Sequence, residues 1–399
     1  MSRPSTQLTP EQMKDLMDKL KLKPYPISME EARKKDSKFW LNKPVPKYDD
    51  KIFTYGKIKD LGQSEDIATN LPNGFKWDTN FDIDSTVLFL NKYYGYPTDS
   101  FMPYFTIDYI NLISLDNPIT LTIRAEKNGA IACFMMGTPI NMITGKEQAK
   151  VLNIKLMCLH PKLRNKNMIN LCMNEFTRIA GKQGYEHGFF SGKRYVKKPF
   201  CETMVYNRAI SVSTLIKHDF IKLGKDVTKE SMRKALVLPE KPIPNFVPML
   251  EEHMEKAYAL FNKYSNRYTV YPVYTFDQFK QLFKNKSVTS YVLLENDEVI
   301  DFISYYEQGV RAVKTNKIIS TAHLFYYTSN IETVYQLIKN MIIVAKNKGM
   351  NLFCMYDIME NSDIISDLKF EKSNNITYYN FYNWNCPELN KNQIGFIPV

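Results

Sequence analysis

Glycine, histidine and long apolar runs are all scarce in this 399-residue chain. It has 15 Gly and five His, which argues against a glycine-rich nucleotide-binding loop and against a zinc site. Its six Cys form no C-x-x-C pair, so we expect reduced, buried thiols in a cytoplasmic protein without a metal. No apolar run reaches the roughly 18–20 residues of a membrane span, and no signal-peptide pattern is present, so we expect no transmembrane segment.

Aromatic residues are abundant, with 26 Tyr and 24 Phe, and the formal net charge is +11. The hydrophobic share of 44% and the charged share of 24% are typical of a globular protein with a large core or a long apolar pocket. A basic surface attracts phosphates and anionic cofactors, but nothing in the sequence indicates a specific nucleic-acid partner. We expect a monomer.

The order of predicted elements repeats along the chain. In the first half, Asn128-Gly129 predicts a hairpin between strands 119–125 and 130–136. A strand at 151–159, a helix at 168–180 closed by Gly181, and a strand from residue 188 follow. The second half repeats this order over residues 291–295, 299–306, 322–328, 331–348 and 352–357. We therefore expect an α/β (α+β) fold of two duplicated halves, with a mixed central sheet flanked by helices.

A proline-rich connection near residues 237–247 separates these halves. We predict a peripheral segment over residues 1–27, a first half over 28–236 and a second half over 237–399. Ser28 and Glu31 form a capping box that predicts a helix running to about Trp40. Thr275 and Gln278 predict the start of another helix.

The strand at 151–159 runs into a basic loop at 160–167 that precedes a helix. Its alternation predicts one apolar face, shared by Leu152, Ile154, Leu156 and Cys158. A strand that delivers a basic loop to a helix N-terminus can bind an anion such as pyrophosphate. The same pattern also suits a solvated basic loop, and the residues alone leave both interpretations open.

Two further candidates are equally ambiguous. Phe39 and Trp40 could contact a ligand or could anchor their helix in the core. Cys158 and His160 lie two positions apart and would face the same side of a strand, as a nucleophilic pair requires. Because Cys158 belongs to the apolar stripe, we interpret it as a core residue.

Ordered short motifs run from about Met29 to the last residue. They are Met29-Glu30-Glu31-Ala32, Phe39-Trp40, Lys43-Pro44-Val45-Pro46-Lys47, Leu71-Pro72-Asn73-Gly74-Phe75-Lys76-Trp77-Asp78, Cys158-Leu159-His160-Pro161-Lys162-Leu163-Arg164-Asn165-Lys166, Asp301-Phe302-Ile303-Ser304-Tyr305-Tyr306 and Tyr382-Asn383-Trp384-Asn385-Cys386-Pro387. Together they resemble the N-myristoyltransferase (glycylpeptide N-tetradecanoyltransferase) family.

This resemblance implies two fused GNAT-like acyltransferase halves related by a pseudo-two-fold duplication. It implies transfer of myristate from myristoyl-CoA, a co-substrate and not a cofactor, to the N-terminal glycine amine of peptides and nascent proteins. It implies acyl-CoA contacts at Lys38, Phe39, Trp40, Leu156, Met157, Cys158, Leu159, Arg164, Asn165, Lys166, Asn167, Met168 and Ile169. It implies peptide contacts at Tyr94, Phe101, Phe105, Ser191, Ser304, His323 and Gly395.

The resemblance also implies the catalytic groups. Backbone N–H groups of Leu156 and Met157 would form an oxyanion hole for the thioester carbonyl. Four residues follow Gly395, the spacing of the family's carboxyl-terminal tail, so the α-carboxylate of Val399 would be the general base. An apolar tail that only packs as a final strand is the alternative.

Departures from the family pattern cluster at the peptide side. Asn207 stands where the family has His, His323 where it has Tyr, and Cys354 where it has Asn. They motivate a second hypothesis, a catalytically weakened protein that binds acyl-CoA or acylated peptides. A GNAT enzyme that uses acetyl-CoA is a third, which the intact Phe39-Trp40 segment disfavours.

Overall fold

A computed structural model of the chain describes residues 25–34, 38–62, 66–96, 99–164, 166–330 and 332–399. The peripheral segment predicted for residues 1–27 therefore lies almost entirely outside the described residues. Ser28 Oγ accepts a hydrogen bond from the N–H of Glu31 at 3.2 Å, so the predicted helix start is confirmed. The described part of this helix covers Met29–Lys34 and a 3-10 turn covers Lys38–Trp40, so the residues next to Trp40 do not form the α-helix that the sequence predicted.

The described helices have 6 to 15 residues. They are α1 Met29–Lys34, α2 Ile83–Tyr93, α3 Ile107–Ile113, α4 Met168–Lys182, α5 Val212–Lys217, α6 Lys229–Ala235, α7 Met254–Ser265, α8 Phe276–Phe283 and α9 Val334–Asn347. The capping box at the start of α8 is confirmed, because Thr275 and Gln278 exchange backbone-to-side-chain hydrogen bonds of 3.0 and 3.2 Å. Gly181 lies inside α4, and Gly184 (φ +80°) follows its end. The predicted end of α4 is therefore wrong by a few residues, because Gly184, which has positive φ, comes after the last turn.

The strands are β1 Gly56–Lys57, β2 Phe75–Asp78, β3 Phe101–Tyr104, β4 Ile119–Ala125, β5 Ile131–Thr144, β6 Glu147–Leu159, β7 His187–Gly192, β8 Cys201–Ala209, β9 Phe246–Pro248, β10 Val270–Val273, β11 Val288–Glu295, β12 Glu298–Glu307, β13 Gly309–Ala312, β14 Lys317–Ile319, β15 Thr321–Thr328, β16 Leu352–Tyr356, β17 Glu371–Tyr382 and β18 Trp384–Asn385. Most belong to one sheet with the order β2-β4-β5-β6-β7-β17-β8-β16-β15-β12-β11-β9, in which β10 pairs with β5.

Two sets of four strands have the same pairing pattern. In the first, β4 and β5 form a hairpin, β6 is antiparallel to β5, and β7 returns through α4 to lie parallel to β6. In the second, β11 and β12 form a hairpin, β15 is antiparallel to β12, and β16 returns through α9 parallel to β15. The predicted duplication within a mixed sheet is confirmed.

The two halves also exchange a strand. Strand β8 lies before residue 236 but pairs with β16 of the second half, whereas β17 lies after it and pairs with β7 of the first half. The exchanged strands pair with each other at the centre of the sheet. One apolar cluster consequently runs through both halves. The domain boundary at residues 236 and 237 stays a prediction.

A β-bulge interrupts β6. Ile154 pairs with Gly137 and Leu156 with Met136, so Lys155 is an extra residue without a partner on β5. An extra residue reverses the faces of a strand, because side chains alternate with period two. Leu152 and Ile154 accordingly pack under α4, whereas Leu156 and Cys158 join the main core. The prediction that all four share one face is wrong for this reason.

Among the described residues, no helix combines the length and the apolar character needed to cross a bilayer.

Candidate active site

The bulge in β6 marks the point where β6 and β7 separate. Their parallel pairing ends at Ile154 and Phe190, but β6 continues beside β5 as far as Leu159. Within the described sheet, residues 155–159 are therefore paired along one edge only. Met157 is 44% exposed, whereas Leu156 is 4% exposed. N–H groups on the open edge of such a strand are available to a ligand. We call the gap between residues 155–159 of β6 and the part of β7 that follows Phe190 the wedge.

An aromatic stack lies beside this wedge. The ring of Trp40 stacks on that of Phe190, with centroids 5.7 Å apart and an interplanar angle of 17°. Phe39 contacts Trp40 edge to face at 4.9 Å, and Lys38 opens the same 3-10 turn. Lys43 donates a hydrogen bond to Asn174 on α4 at 2.9 Å. This segment is therefore held against β7 and α4, next to the unpaired edge of β6.

We expect Trp40→Ala to weaken myristoyl-CoA binding by about 10- to 100-fold, equivalent to about 1.4–2.8 kcal/mol, because the change removes a large, packed aromatic side chain of the kind that dominates binding energy at a binding site. Isothermal titration calorimetry measures this change. Phe53→Ala is the matched control, because Phe53 is 81% exposed. Unchanged affinity in a folded Trp40→Ala protein would contradict the assignment of Trp40 to the acyl-CoA site.

Some side chains of the basic loop after β6 are already hydrogen-bonded within the protein. Arg164 donates hydrogen bonds to the carbonyls of Leu159 at 3.3 Å and Tyr93 at 2.8 Å, so its guanidinium holds the loop in place. Lys166 is exposed, and Asn165 lies outside the described residues. Asn167 (φ 59°) precedes α4 and makes no side-chain cap.

The first turn of α4 begins with Met168 and Ile169 and contains no acidic residue. Met168 is buried in the cluster under α4, and Ile169 packs against that cluster. The free N–H groups of this turn and the positive end of the helix dipole suit an anion. The side chains of the loop thus hold its shape, and the main chain remains available for phosphate groups.

Cys158 has no features of a nucleophile. It is 3% exposed, and burial raises the pKa of its thiol to about 12. The His160 ring packs on Tyr93 at 4.4 Å, and its Nδ1 accepts a hydrogen bond from the N–H of Lys162. The Cys158 thiol is therefore buried and the His160 imidazole is engaged in contacts within the protein, which agrees with the interpretation of Cys158 as a core residue.

We expect Cys158→Ser to keep acyl-transfer activity within about tenfold of the unsubstituted chain, because a thiol with a raised pKa supplies almost no thiolate near neutral pH. Steady-state assays measure the rate, and mass spectrometry of the quenched enzyme searches for an acylated protein. An acyl group trapped on Cys158 would overturn this expectation.

Three of the predicted peptide contacts belong to one row of rings. Tyr94 meets Phe105 at 5.0 Å, Tyr109 lies 6.1 Å from both Phe105 and Tyr306, and Tyr306 stacks on His323 at 5.0 Å. His323 is hydrogen-bonded to Thr321 at 3.0 Å, and burial lowers its pKa to about 4. Phe105, Tyr109 and Tyr306 are buried, so only Tyr94 and the neutral imidazole of His323 keep accessible surface, at the two ends of the row.

The other four residues predicted to contact the peptide make contacts within the protein. Ser304 is fully buried and donates to the carbonyl of Tyr326 at 2.9 Å. The N–H of Gly395 donates to the carbonyl of Val270 at 2.8 Å. Phe101 packs edge to face on Phe220 at 5.0 Å. Ser191 is half-buried opposite Tyr379 in the β7–β17 ladder.

The last residues of the chain are inserted between the halves. Ile394, Phe396 and Ile397 are buried, and Phe396 meets Phe189 of β7 edge to face at 4.9 Å. Val399 lines a small cavity together with Lys155 of the bulge. The fold therefore brings the end of the chain to the strand that carries Leu156 and Met157.

Sequence reasoning missed Lys155, Tyr109 and Tyr306. Lys155 interrupts a strand that is otherwise apolar from residue 154 to 159, which was the available signal. No signal in the sequence marks Tyr109 and Tyr306, because their role depends on ring contacts between residues far apart in the chain.

The repeated strand pattern, the separation of β6 from β7 and the anion-suited helix start belong to a mixed α/β protein of the acyltransferase class, as the family comparison shows. The chain matches the N-terminal domain of "Myristoyl-CoA:protein N-myristoyltransferase" over residues 57–203 and its C-terminal domain over residues 217–396. The chain belongs to the myristoyl-CoA:protein N-myristoyltransferase family, the enzyme class of the glycylpeptide N-tetradecanoyltransferases.

Individual relatives are similar over most of their length. A probable glycylpeptide N-tetradecanoyltransferase of Caenorhabditis elegans is 27% identical, with 93% of this chain and 88% of the relative covered. A Drosophila melanogaster glycylpeptide N-tetradecanoyltransferase is 26% identical, with 90% and 80% covered. The crystal structure of Saccharomyces cerevisiae N-myristoyltransferase with bound myristoyl-CoA has a TM-score of 0.86 at 21% identity and covers 92% of this chain and 100% of its own.

Proposed function

We propose that this chain transfers the myristoyl group of myristoyl-CoA to the N-terminal glycine amine of peptides and nascent proteins. The observation that carries the proposal is the wedge between β6 and β7. There, residues 155–159 of β6 are paired along one edge only, the Trp40 ring stacks on Phe190 of β7, and Lys155 lines a cavity together with Val399.

Myristoyl-CoA is the acyl donor. Phe39, Trp40 and the start of α4 flank the wedge from one side, which suits a ligand with an apolar chain and a charged pyrophosphate. Burying a fourteen-carbon chain is worth on the order of 10 kcal/mol at ~0.8 kcal/mol per CH₂. Main-chain N–H groups at Asn167, Met168 and Ile169 would hold the phosphates.

The oxyanion hole consists of backbone N–H groups of Leu156 and Met157. Attack on the thioester carbonyl places negative charge on its oxygen, and each preorganised donor is worth roughly 10²–10³-fold in rate. The bulge at Lys155 supports this assignment, because bulges redirect backbone and side-chain groups next to active sites. The thiolate of CoA then leaves with the electrons of the broken C–S bond.

The α-carboxylate at Val399 is the general base. A free carboxyl has a pKa of ~3.3–3.7 and an α-amine one of ~7.7–8.0, so proton transfer from a glycine ammonium in water is unfavourable. Desolvation raises the pKa of a carboxyl and lowers that of an amine, which reduces the difference between the two pKa values. Burial of the tail from Ile394 to Ile397 supports this role.

Tyr94 and His323, which keep accessible surface at the two ends of the row of rings, would contact the peptide. Glycine is required at its first position because a Cβ would collide where the amine approaches the thioester. A matching target begins Met-Gly-x-x-x-Ser or Met-Gly-x-x-x-Thr before removal of Met.

The test combines purified protein, myristoyl-CoA and a peptide that begins with glycine. Mass spectrometry should detect the acylated peptide in step with release of CoA, and the same peptide with an initial alanine should give none. Binding of myristoyl-CoA without any CoA release would instead support the alternative, an acyl-CoA or acylated-peptide binding protein.

A further inference from the structure

Lys155 is a charged residue that the fold directs into the cavity beside Val399. Lys155 is the extra residue of the bulge in β6. At a bulge, side chains no longer alternate regularly between the two faces of the strand, and this applies to Lys155 and Leu156. The cavity wall includes Lys155, Asn153, Tyr274 and Val399. The Lys155 ammonium also lies 5.9 Å from the ring centroid of Phe396 in the tail.

The cavity contains polar groups without partners. The structure pairs the Lys155 ammonium with no carboxylate side chain among the described residues. Asn153 is 3% exposed and its side-chain Nδ2 has no hydrogen-bond partner in the part of the chain that is described. Unpartnered buried donors are rare, so this cavity suits a polar or charged group that enters during function.

The protonation state of Lys155 is set by burial. Although the residue keeps part of its surface accessible, desolvation lowers the pKa of its ammonium to about 7. The other residues of the cavity wall that carry a titratable group are Val399, through its terminal carboxylate, and Tyr274, through its phenol. Burial raises the pKa of Tyr274, so that phenol stays neutral. Near neutral pH, a large fraction of Lys155 is a free amine.

We propose that the side-chain amine of Lys155 is the final acceptor of the proton that the substrate glycine loses, receiving it through the carboxylate of Val399. The proposal rests on the proposed function. One N–H bond of the glycine ammonium breaks and one forms on Lys155, whose positive charge then faces the carboxylate. The freed lone pair attacks the thioester, the C–S bond breaks, and the second amine proton goes to the CoA thiolate.

A lysine amine is a better final acceptor of the glycine proton than the carboxylate alone. With the reference pKa values in water, ~7.7–8.0 for an α-amine and ~3.3–3.7 for a carboxyl, and before any effect of burial, leaving the proton on the carboxylate is unfavourable by about 10⁴-fold. Lys155, with its pKa near 7, reduces this to about tenfold or less by the same arithmetic. The carboxylate orients the ammonium and passes the proton on, and Lys155 holds it while the bond to carbon forms.

Single-turnover acyl transfer with preloaded myristoyl-CoA tests this proposal in the full chain. Lys155→Met removes the amine, and Lys155→Arg keeps the positive charge but cannot accept a proton. Lys150→Met is the control, because Lys150 lies on the same strand, is exposed and contacts Tyr185. Calorimetric binding of myristoyl-CoA confirms that each variant is folded.

In the unsubstituted chain, we expect the rate to rise with pH and to level off above an inflection near 7. Both Lys155 variants should lose at least tenfold at pH 7 and lose that inflection, and Lys150→Met should retain both. A wild-type rate and pH profile in Lys155→Met, or restoration by Lys155→Arg, would overturn the role of Lys155. Failure of the unsubstituted chain to acylate any glycine peptide would instead overturn the proposed function.

Discussion

Replacing the terminal carboxylate of Val399 with a carboxamide should slow single-turnover acyl transfer by at least about 100-fold, a loss in the range that removal of a proton-transfer group produces. The change removes one negative charge and adds no bulk, so the packing of Phe396 against Phe189 is retained. Semisynthesis by ligation of the last residues gives this variant. Rapid-quench measurement of acylated peptide gives its rate.

Binding of myristoyl-CoA should be unchanged in the carboxamide variant, because its proposed contacts lie at Phe39, Trp40 and the start of α4. The matched control is the same ligation product with the native carboxylate. A short peptide appended after Val399 should have a similar effect on the rate, since it moves the charge away from the cavity. Wild-type rates in both variants would show that the tail only packs.

The local elements of the fold could be predicted from the sequence because their signals are local. Asn128-Gly129 predicts the turn between β4 and β5, and Thr275 with Gln278 predicts the start of α8. The repeated order of hairpin, strand, helix and strand then leads to the duplication. Each of these inferences needs only neighbours in the chain, where turn and capping preferences act directly.

The bulge at Lys155 and the exchange of β8 and β17 could not be predicted in this way. Lys155 interrupts the apolar run of its strand, but only the pairing with β5 shows that it is an extra residue. The exchange depends on pairing between strands more than 100 residues apart, which periodicity does not record. Both features determine the wedge that holds the candidate site.

The candidate site was recognisable mainly through ordered motifs and less through residue chemistry. Phe39 and Trp40 could have been core residues, and the structure shows them packed beside the wedge. Ser304 and Gly395 matched the motif pattern but are buried in the fold. Sequence similarity alone does not separate a residue that contacts a ligand from one that supports its neighbours.

Gly395→Ala should destabilise the protein by about 1–3 kcal/mol, the usual cost of forcing extra atoms into a packed core. An added Cβ would clash with the Tyr268 ring and lie 2.8 Å from its Cγ. The ring has little freedom to move, because the Tyr268 hydroxyl donates to Glu360 at 2.6 Å. Chemical denaturation measures the change in the free energy of unfolding.

Gly224→Ala is the control, because its nearest neighbour would be Val227 at an ordinary contact distance of 3.8 Å. In a Tyr268→Ala background, the added cost of Gly395→Ala should be at least about 1 kcal/mol smaller, since residues in contact are not additive. The displaced tail should also lower the rate of acyl transfer more than the affinity for myristoyl-CoA. A Gly395→Ala protein with unchanged stability and only a raised KM for peptide would assign Gly395 to the peptide groove instead of to packing of the tail.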